Sequence, residues 1–132
     1  MSLLRTLQRQ PRIISLFAYD LENCKPAGSI VQFLKSDTSN QFDLELCTRF
    51  PTLDQLLYMY KFKEPLSREI LNNQIKNLNE ILKLKSFDSI FGSTLEHCVK
   101  IGVWNPKHAL WVDWEKAKLG SSVKSIKQSL NQ

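Results

Sequence analysis

The chain has 132 residues, which is enough for one domain with a single hydrophobic core. No apolar run approaches the roughly 18–20 residues that cross a bilayer, so we expect no membrane insertion. The net charge is +5, but the lysines and arginines are scattered instead of clustering among aromatic residues, which argues against a nucleic-acid partner. We expect a single monomeric domain over residues 1–132.

The first 19 residues contain three arginines and no acid. Arg5, Arg9 and Arg12 recur at helical spacing, and the first acidic residue is Asp20. This asymmetry is typical of a mitochondrial transit segment, about residues 1–11, because Pro11 would end any helix there. A basic tail ahead of the first strand is the alternative. Cleavage well past Pro11 would remove part of that strand, so we expect that little or nothing is removed.

The next segments have the pattern of a β-α-β unit. "RIISLFA" (12–18) is a nearly continuous apolar run, which predicts a central strand buried on both faces. A helix follows from about Pro26, a residue suited to a first helical turn. "QFDLELC" (41–47) alternates apolar and acidic residues, which predicts an edge strand. The predicted apolar faces are Ile30, Val31, Phe33 and Leu34 on the helix and Phe42, Leu44 and Leu46 on the strand.

Residues of about 50–103 have helical spacing throughout and predict a helical insert. Thr52 and Gln55 have the spacing of a capping box, in which two side chains satisfy the first backbone groups of a helix. A second helix is predicted from apolar residues at i, i+4, i+7 and i+11, namely Leu71, Ile75, Leu78 and Leu82.

A short helix containing Cys98 is predicted at the end of this insert. Ser93 and Glu96 have the spacing of another capping box, which would open the helix. Gly102 is a residue type that commonly ends one.

The last segment, "HALWVDWEKAKLG" with "SSVKSIKQSL", predicts a hairpin followed by a helix. Two strands joined by a tight turn near Trp114–Lys116 must be antiparallel. The closing helix has Val123, Ile126 and Leu130 on one side.

The predicted order is therefore β-α-β, a helical insert and β-β-α, with a four-stranded mixed sheet. A parallel pair, an antiparallel hairpin and a packing helix make up the thioredoxin-like α/β fold, which is our predicted fold class. A ferredoxin-like α/β sandwich is the alternative.

Cys24 has the position that this fold gives to a reactive thiol. It lies after the first strand and at the start of the first helix, where backbone N–H groups and the helix dipole stabilise a thiolate. Asp20 and Glu22 lie nearby and would oppose this effect. No second cysteine follows at CxxC spacing, so an exposed, unreactive thiol is the alternative. Pro106 precedes the third predicted strand, where the fold places a cis-proline beside its active site.

The other two cysteines have apolar neighbours. Cys98 shares a helical stripe with Leu95 and Val99, which favours core packing. Lysines 100 and 107 and histidine 108 would favour its thiolate only if they fold back toward the sulfur. Cys47 ends the second strand and is expected to be structural. The three cysteines and two histidines lack metal-ligand spacing, so we expect no metal and no disulfide framework.

Three stretches closely resemble the fungal mitochondrial redox protein family with a thioredoxin-like fold. They are "LQRQPR" with "ISLF" (7–17), "RFPTLDQL" with "YM" (49–59) and "WNPKHALWVDWE" (104–115), with "CV" (98–99) and Gly102 in register. The resemblance spans nearly the whole chain. It implies a mitochondrial location, a role in reducing small toxic molecules and an active-site cysteine upstream of "WNPK", which is Cys98 here.

A weaker resemblance links "ISLFAYDLENCKPAGS" and "KLGSSVKSIKQSL" to the arsenate-reductase branch of the same fold. That branch implies a nucleophile at Cys24. It also uses an arginine before the proline where this chain has Asn105, and this departure argues against arsenate chemistry.

The sequence thus predicts a mitochondrial thiol oxidoreductase that acts on a small molecule. Cys98 is the first candidate and Cys24 the second. No bound cofactor is expected, and an external thiol such as glutathione would resolve the oxidised cysteine. The alternative is a thioredoxin-fold module that binds a partner without catalysis.

Overall fold

A four-stranded mixed sheet lies at the centre of the protein, which we describe from a computed structural model covering residues 12–36 and 42–130. The strands are β1 (Arg12–Phe17), β2 (Phe42–Cys47), β3 (Leu110–Asp113) and β4 (Lys118–Gly120), in the order β2-β1-β3-β4. β1 pairs in parallel with β2, and β3 pairs antiparallel with both β1 and β4. The predicted mixed sheet, with β1 central and β2 at an edge, is confirmed.

Six helices accompany the sheet in the described residues. They are α1 (Lys25–Ser36), α2 (Leu53–Tyr60), α3 (Pro65–Gln74), α4 (Leu78–Ile81), α5 (Leu95–Lys100) and α6 (Val123–Leu130). The predicted basic segment of residues 1–11 lies outside the described residues.

The helices form two layers because successive side chains of a strand point to opposite faces of the sheet. Ile14 and Leu16 of β1 and Trp111 of β3 pack with α1 and α6, which form the α1–α6 layer. Phe17, Leu110 and Val112 point the other way and pack with the helices of the α2–α5 layer. Both central strands are therefore covered on both sides except at Ile13 of β1, which is 42% exposed, so the predicted burial of β1 on both faces is wrong at this position.

One predicted apolar position on β2 is wrong. Phe42 and Leu44 pack against the α1–α6 layer as expected. Leu46 is 42% exposed instead. It lies near the end of an edge strand, beyond the part that the helices of this layer cover.

The second predicted helix of the insert is in fact two helices. α3 ends at Gln74, Ile75 is extended with φ −120° and ψ 112°, and Asn77 has the left-handed φ of 61°. The backbone of this break bonds to the segment after α5: Lys76 N–H donates to Val103 O (2.8 Å) and Asn105 N–H to Gln74 O (3.0 Å). These tertiary bonds outweigh the helical spacing, and asparagine tolerates the left-handed conformation.

The predicted helix ends fit the structure with one exception. The Thr52–Gln55 capping box of α2 is present in both directions. Gly102 has φ 81° just after α5, as a helix-terminating glycine does. The predicted Ser93–Glu96 box is wrong, because Thr94 Oγ1 accepts the His97 N–H while Ser93 Oγ donates to Ile90 O at 2.7 Å.

Candidate functional site

Cys24 lies directly before α1, at the carboxyl end of the central strand β1. Its carbonyl accepts the first helical hydrogen bond, from Gly28 N–H at 2.9 Å, so it occupies the N-cap position. Pro26 has no N–H, which leaves the N–H groups of Lys25 and Ala27 as the free donors of the first turn. The predicted position of Cys24 at a helix start is therefore correct.

In the loop before Cys24, the Asp20 carboxylate accepts hydrogen bonds from groups of the same loop. Asp20 accepts hydrogen bonds from the backbone N–H groups of Glu22 and Asn23 (both 3.1 Å) and from Asn23 Nδ2 (2.8 Å). The Asn23 amide and these backbone bonds lower the pKa of Asp20. This carboxylate is thus engaged within the loop, and Cys24 Sγ has the His108 carbonyl oxygen as a distant neighbour at 4.0 Å. The cysteine packs in the α1–α6 layer and is 8% exposed.

Cys98 lies on α5 and is fully buried in the α2–α5 layer. Its Sγ is 3.3 Å from Ser93 Oγ. Burial raises the pKa of the Cys98 thiol, and the Ser93 hydroxyl opposes that rise. The nearby Lys100 pairs instead with Glu96 at 3.7 Å. The environment is that of a thiol packed in the core, as the apolar stripe predicted.

The residues after Cys98 are tied to the break between α3 and α4. Cys98 O accepts the N–H groups of Val103 (2.8 Å) and Trp104 (3.1 Å), and Trp104 forms an isolated bridge with Ile75. Every peptide bond in the described part of the chain is trans, so the expected cis-proline at Pro106 is wrong. Asn105, the residue before Pro106, is bonded to the end of α3: its N–H donates to Gln74 O (3.0 Å) and its carbonyl accepts from Gln74 Nε2 (2.8 Å).

A polar network near Cys47 was not predicted. Ser15 Oγ donates to Glu45 Oε1 at 3.0 Å and accepts from Trp114 Nε1 at 2.8 Å. Cys47 Sγ is 3.3 Å from the same Glu45 oxygen. Burial, then the hydrogen bond and charge of Glu45, raise the pKa of Cys47 to about 12. The alternation of β2, which puts Glu45 and Cys47 on one face, was the available signal.

The three cysteines therefore differ in their surroundings, although Cys47 packs against the cluster that contains Cys98, and all three are free. The sheet separates Cys24 from Cys98, and Cys47 lies at the edge strand. Within residues 12–36 and 42–130, no group of three or more His, Cys, Asp or Glu residues could hold a metal ion. No helix in this part of the chain is long and apolar enough to cross a membrane.

Known proteins resemble this chain over nearly its whole length. The family described as "Protein of unknown function (DUF1687)" matches residues 4–122. A Candida glabrata protein named "Putative redox protein FMP46, mitochondrial" is 55% identical over 132 residues, which is 100% of this chain and 99% of the relative. The Saccharomyces cerevisiae protein of that name is 46% identical over 132 residues, covering 100% and 98% of the two chains.

A solution NMR structure of a Saccharomyces cerevisiae protein is also similar. Its TM-score is 0.56 at 46% identity, with 96% of this chain and 95% of that chain covered. These matches confirm the family resemblance and the mitochondrial location that the sequence predicts. The chain belongs to the FMP46 family of fungal mitochondrial proteins, and it matches the DUF1687 family model over most of its length.

Proposed function

We propose that this protein is a mitochondrial thiol oxidoreductase with a thioredoxin-like fold, and that Cys24 is its reactive thiol. The fold assignment is supported by the sheet order β2-β1-β3-β4, by the parallel β1–β2 pair and by the closing helix α6. The redox role is supported by the names of the relatives. The helices α2–α5 are then an insert on one face of a single domain.

The observation that carries the choice of Cys24 is its position at the N-terminus of α1. This helix has 12 residues and no acidic residue in its first turn. The dipole and the free N–H groups of this helix N-terminus favour negative charge at this end of the helix. Because Cys24 is 8% exposed, a substrate reaches the sulfur only when the preceding loop moves.

The reaction that fits one thiol is disulfide exchange. The Cys24 thiolate attacks one sulfur of a small disulfide, a bond forms between the two sulfurs, and the other substrate sulfur leaves as a thiolate. A thiolate of an external thiol such as glutathione then attacks the mixed disulfide and releases Cys24. In each turnover one half of the substrate disulfide is released as a thiolate and an external thiol takes its place in the disulfide. The cycle uses no bound cofactor.

Cys98 is the second candidate, on one specific observation. Burial raises the pKa of the Cys98 thiol, and the hydroxyl of Ser93, 3.3 Å from Sγ, opposes that rise. The family resemblance implies the same cysteine. Its reaction requires α5 to open, because Cys98 is fully buried.

Site-resolved alkylation separates these assignments. Iodoacetamide labelling of the whole protein across pH, read by mass spectrometry of each cysteine peptide, should give fastest labelling at Cys24. Incubation with glutathione disulfide should then give a mixed disulfide that Cys24→Ser abolishes and Cys47→Ser retains.

Labelling that is fastest at Cys98, with an adduct lost in Cys98→Ser, would replace the first candidate by the second. Labelling of all three cysteines more slowly than a small model thiol near neutral pH would contradict the oxidoreductase and favour a non-catalytic binding module.

A further inference from the structure

A cavity of ≈ 490 Å³ lies between the end of α2, the start of α3 and the β3–β4 hairpin. None of the three cysteines is among its lining residues. Its volume falls within the range of small-molecule sites, about 300–1,000 Å³. The apolar part of its lining comes from Tyr58, Phe62, Pro65 and Ala117. The cavity therefore has the size and floor to accept a small molecule with an apolar body.

The aromatic floor is held in place from two sides. Tyr58 stacks on Trp114 with ring centroids 6.0 Å apart, and its hydroxyl donates to Trp114 O at 3.0 Å. Phe62 meets the Tyr58 ring edge-on at 5.2 Å. Tyr58 nevertheless remains 47% exposed. Phe62 itself is only 7% exposed, so the aromatic surface open to a ligand is mainly that of Tyr58, which is held in one orientation.

The rim of the same cavity is strongly cationic. Lys61, Lys63, Lys116 and Lys118 line it together with Glu64, and of these Lys116 and Lys118 already interact with other residues, so Lys61 and Lys63 are the cations that the inference uses. Lys116 Nζ donates to Ser129 O at 3.0 Å, which holds its charge in the wall.

The N-terminus of α3 opens at this cavity as well. Pro65 is its first residue, and Glu64 makes no side-chain cap. The helix dipole adds to the positive potential. An anion is the complement of this rim.

We infer that this cavity binds an organic anion with a flat apolar body, such as an aromatic sulfonate or carboxylate. The apolar body lies on Tyr58 and Phe62, and the anionic group faces the lysines. A bare inorganic anion leaves the aromatic floor uncovered. A bilayer surface fits a concave site poorly, because its apolar part would have to enter the cavity. This site does not depend on any thiol, so it stands or fails apart from the redox proposal.

Calorimetric titration of the full chain with naphthalene-2-sulfonate tests the inference. We expect saturable binding at one site, weakened about tenfold in the Lys61→Gln/Lys63→Gln variant, because exposed charge pairs each contribute modestly. Tyr58→Ala should weaken binding by a similar factor. Lys85→Gln/Lys124→Gln has the same net charge and exchanges lysines outside the cavity, so it should bind like the unchanged protein. Circular dichroism of each variant verifies that it is folded.

A neighbouring cavity of ≈ 460 Å³ shares Lys61 and Lys63 but is also lined by Arg68. Arg68→Gln should therefore leave sulfonate binding unchanged. A large loss of affinity in that variant would show that the ligand binds in the neighbouring cavity instead. Neutral naphthalene-2-sulfonamide should bind at least tenfold more weakly, and sodium sulfate should compete poorly. Equal binding of the sulfonamide, equal losses in the lysine control, or binding only to phosphatidylglycerol vesicles would each overturn the inference.

Discussion

Cys47 shows how one neighbouring carboxylate changes a thiol. It is half-buried, and burial together with Glu45 raises its pKa to about 12. A thiol must lose its proton to become a nucleophile. Partial exposure therefore does not make Cys47 reactive, because burial and the neighbouring Glu45 carboxylate oppose formation of its thiolate.

Glu45→Gln should increase the alkylation rate of Cys47. The substitution removes the charge that opposes the thiolate but leaves burial, the larger cause, in place. We expect a roughly severalfold increase at pH 9, read from the Cys47 peptide by mass spectrometry. Asp43→Asn is the control, since Asp43 is an exposed acid on the same strand. An unchanged rate, or the same increase in Asp43→Asn, would contradict the contact.

The pKa of Cys47 also predicts a dependence of stability on pH. Folding raises this pKa from 9.0 to about 12. The neutral thiol thus contributes stability that is fully present below pH ~9 and is lost as the pH rises toward 12. Cys47→Ala lacks this titration, so its free energy of unfolding should fall less between pH 8 and pH 10 in urea melts. Parallel curves for the two proteins would show that Cys47 does not contribute.

At the scale of elements, α5 controls access to Cys98. This helix has six residues, and its cap is the single hydrogen bond from His97 N–H to Thr94 Oγ1. Loss of a cap of this kind costs about 1 kcal/mol. Short elements with few stabilising bonds open locally before the whole protein unfolds. Exposure of Cys98 is therefore expected to follow the stability of α5.

Thr94→Ala should accelerate alkylation of Cys98 about fivefold, since ~1 kcal/mol of local stability corresponds to that factor. Thr52→Ala is the control, because Thr52 Oγ1 likewise accepts a backbone N–H at the start of a helix, although there the Gln55 side chain also bonds back. If Cys98 reacts through opening of α5, labelling at fixed pH should increase in Thr94→Ala alone. Equal increases in both variants would indicate that Cys98 reacts only after global unfolding.

The elements differ in how well the sequence predicts them. The β-α-β and β-β-α segments were predictable because each has one clear side-chain period. The break at Ile75–Asn77 was not, because Ile75 satisfies the helical spacing and only its bonds to residues 103–105 reveal the break. The positions of Cys24 at a helix start and of Cys98 on an apolar helical stripe were predictable from neighbouring residues in the sequence. The Ser15–Glu45–Trp114 network joins residues up to 99 positions apart and depends on strand register.

At the scale of the whole molecule, the sheet and the α1–α6 layer meet closely at Gly120. A Cβ at this position would lie 2.6 Å from Ser125 Oγ and 2.7 Å from two ring atoms of Trp111. Trp111 Nε1 donates to Ser125 Oγ at 2.9 Å, so neither neighbour can move alone. Only glycine allows β4 and α6 to approach in this way.

Gly120→Ala should therefore lower the free energy of unfolding by about 1–3 kcal/mol, the usual cost of overpacking. For a domain of this size the midpoint of thermal unfolding should fall by several degrees. Gly28→Ala is the control, because nothing lies within 4 Å of a Cβ there and alanine favours the helix. A Gly120→Ala protein as stable as the unchanged one would show that the contact relaxes freely.

The sheet lies between Cys24 and Cys98, and this limits which products oxidation of the folded protein can form. A folded molecule cannot join Cys24 to Cys98, because one packs in the α1–α6 layer and the other in the α2–α5 layer. Oxidation of Cys24 therefore cannot be completed by Cys98 within the folded molecule, or the reverse. Oxidative damage in the mitochondrion would appear as added mass or as crosslinked dimers on a non-reducing gel. A monomer crosslinked between Cys24 and Cys98 would have had to unfold first.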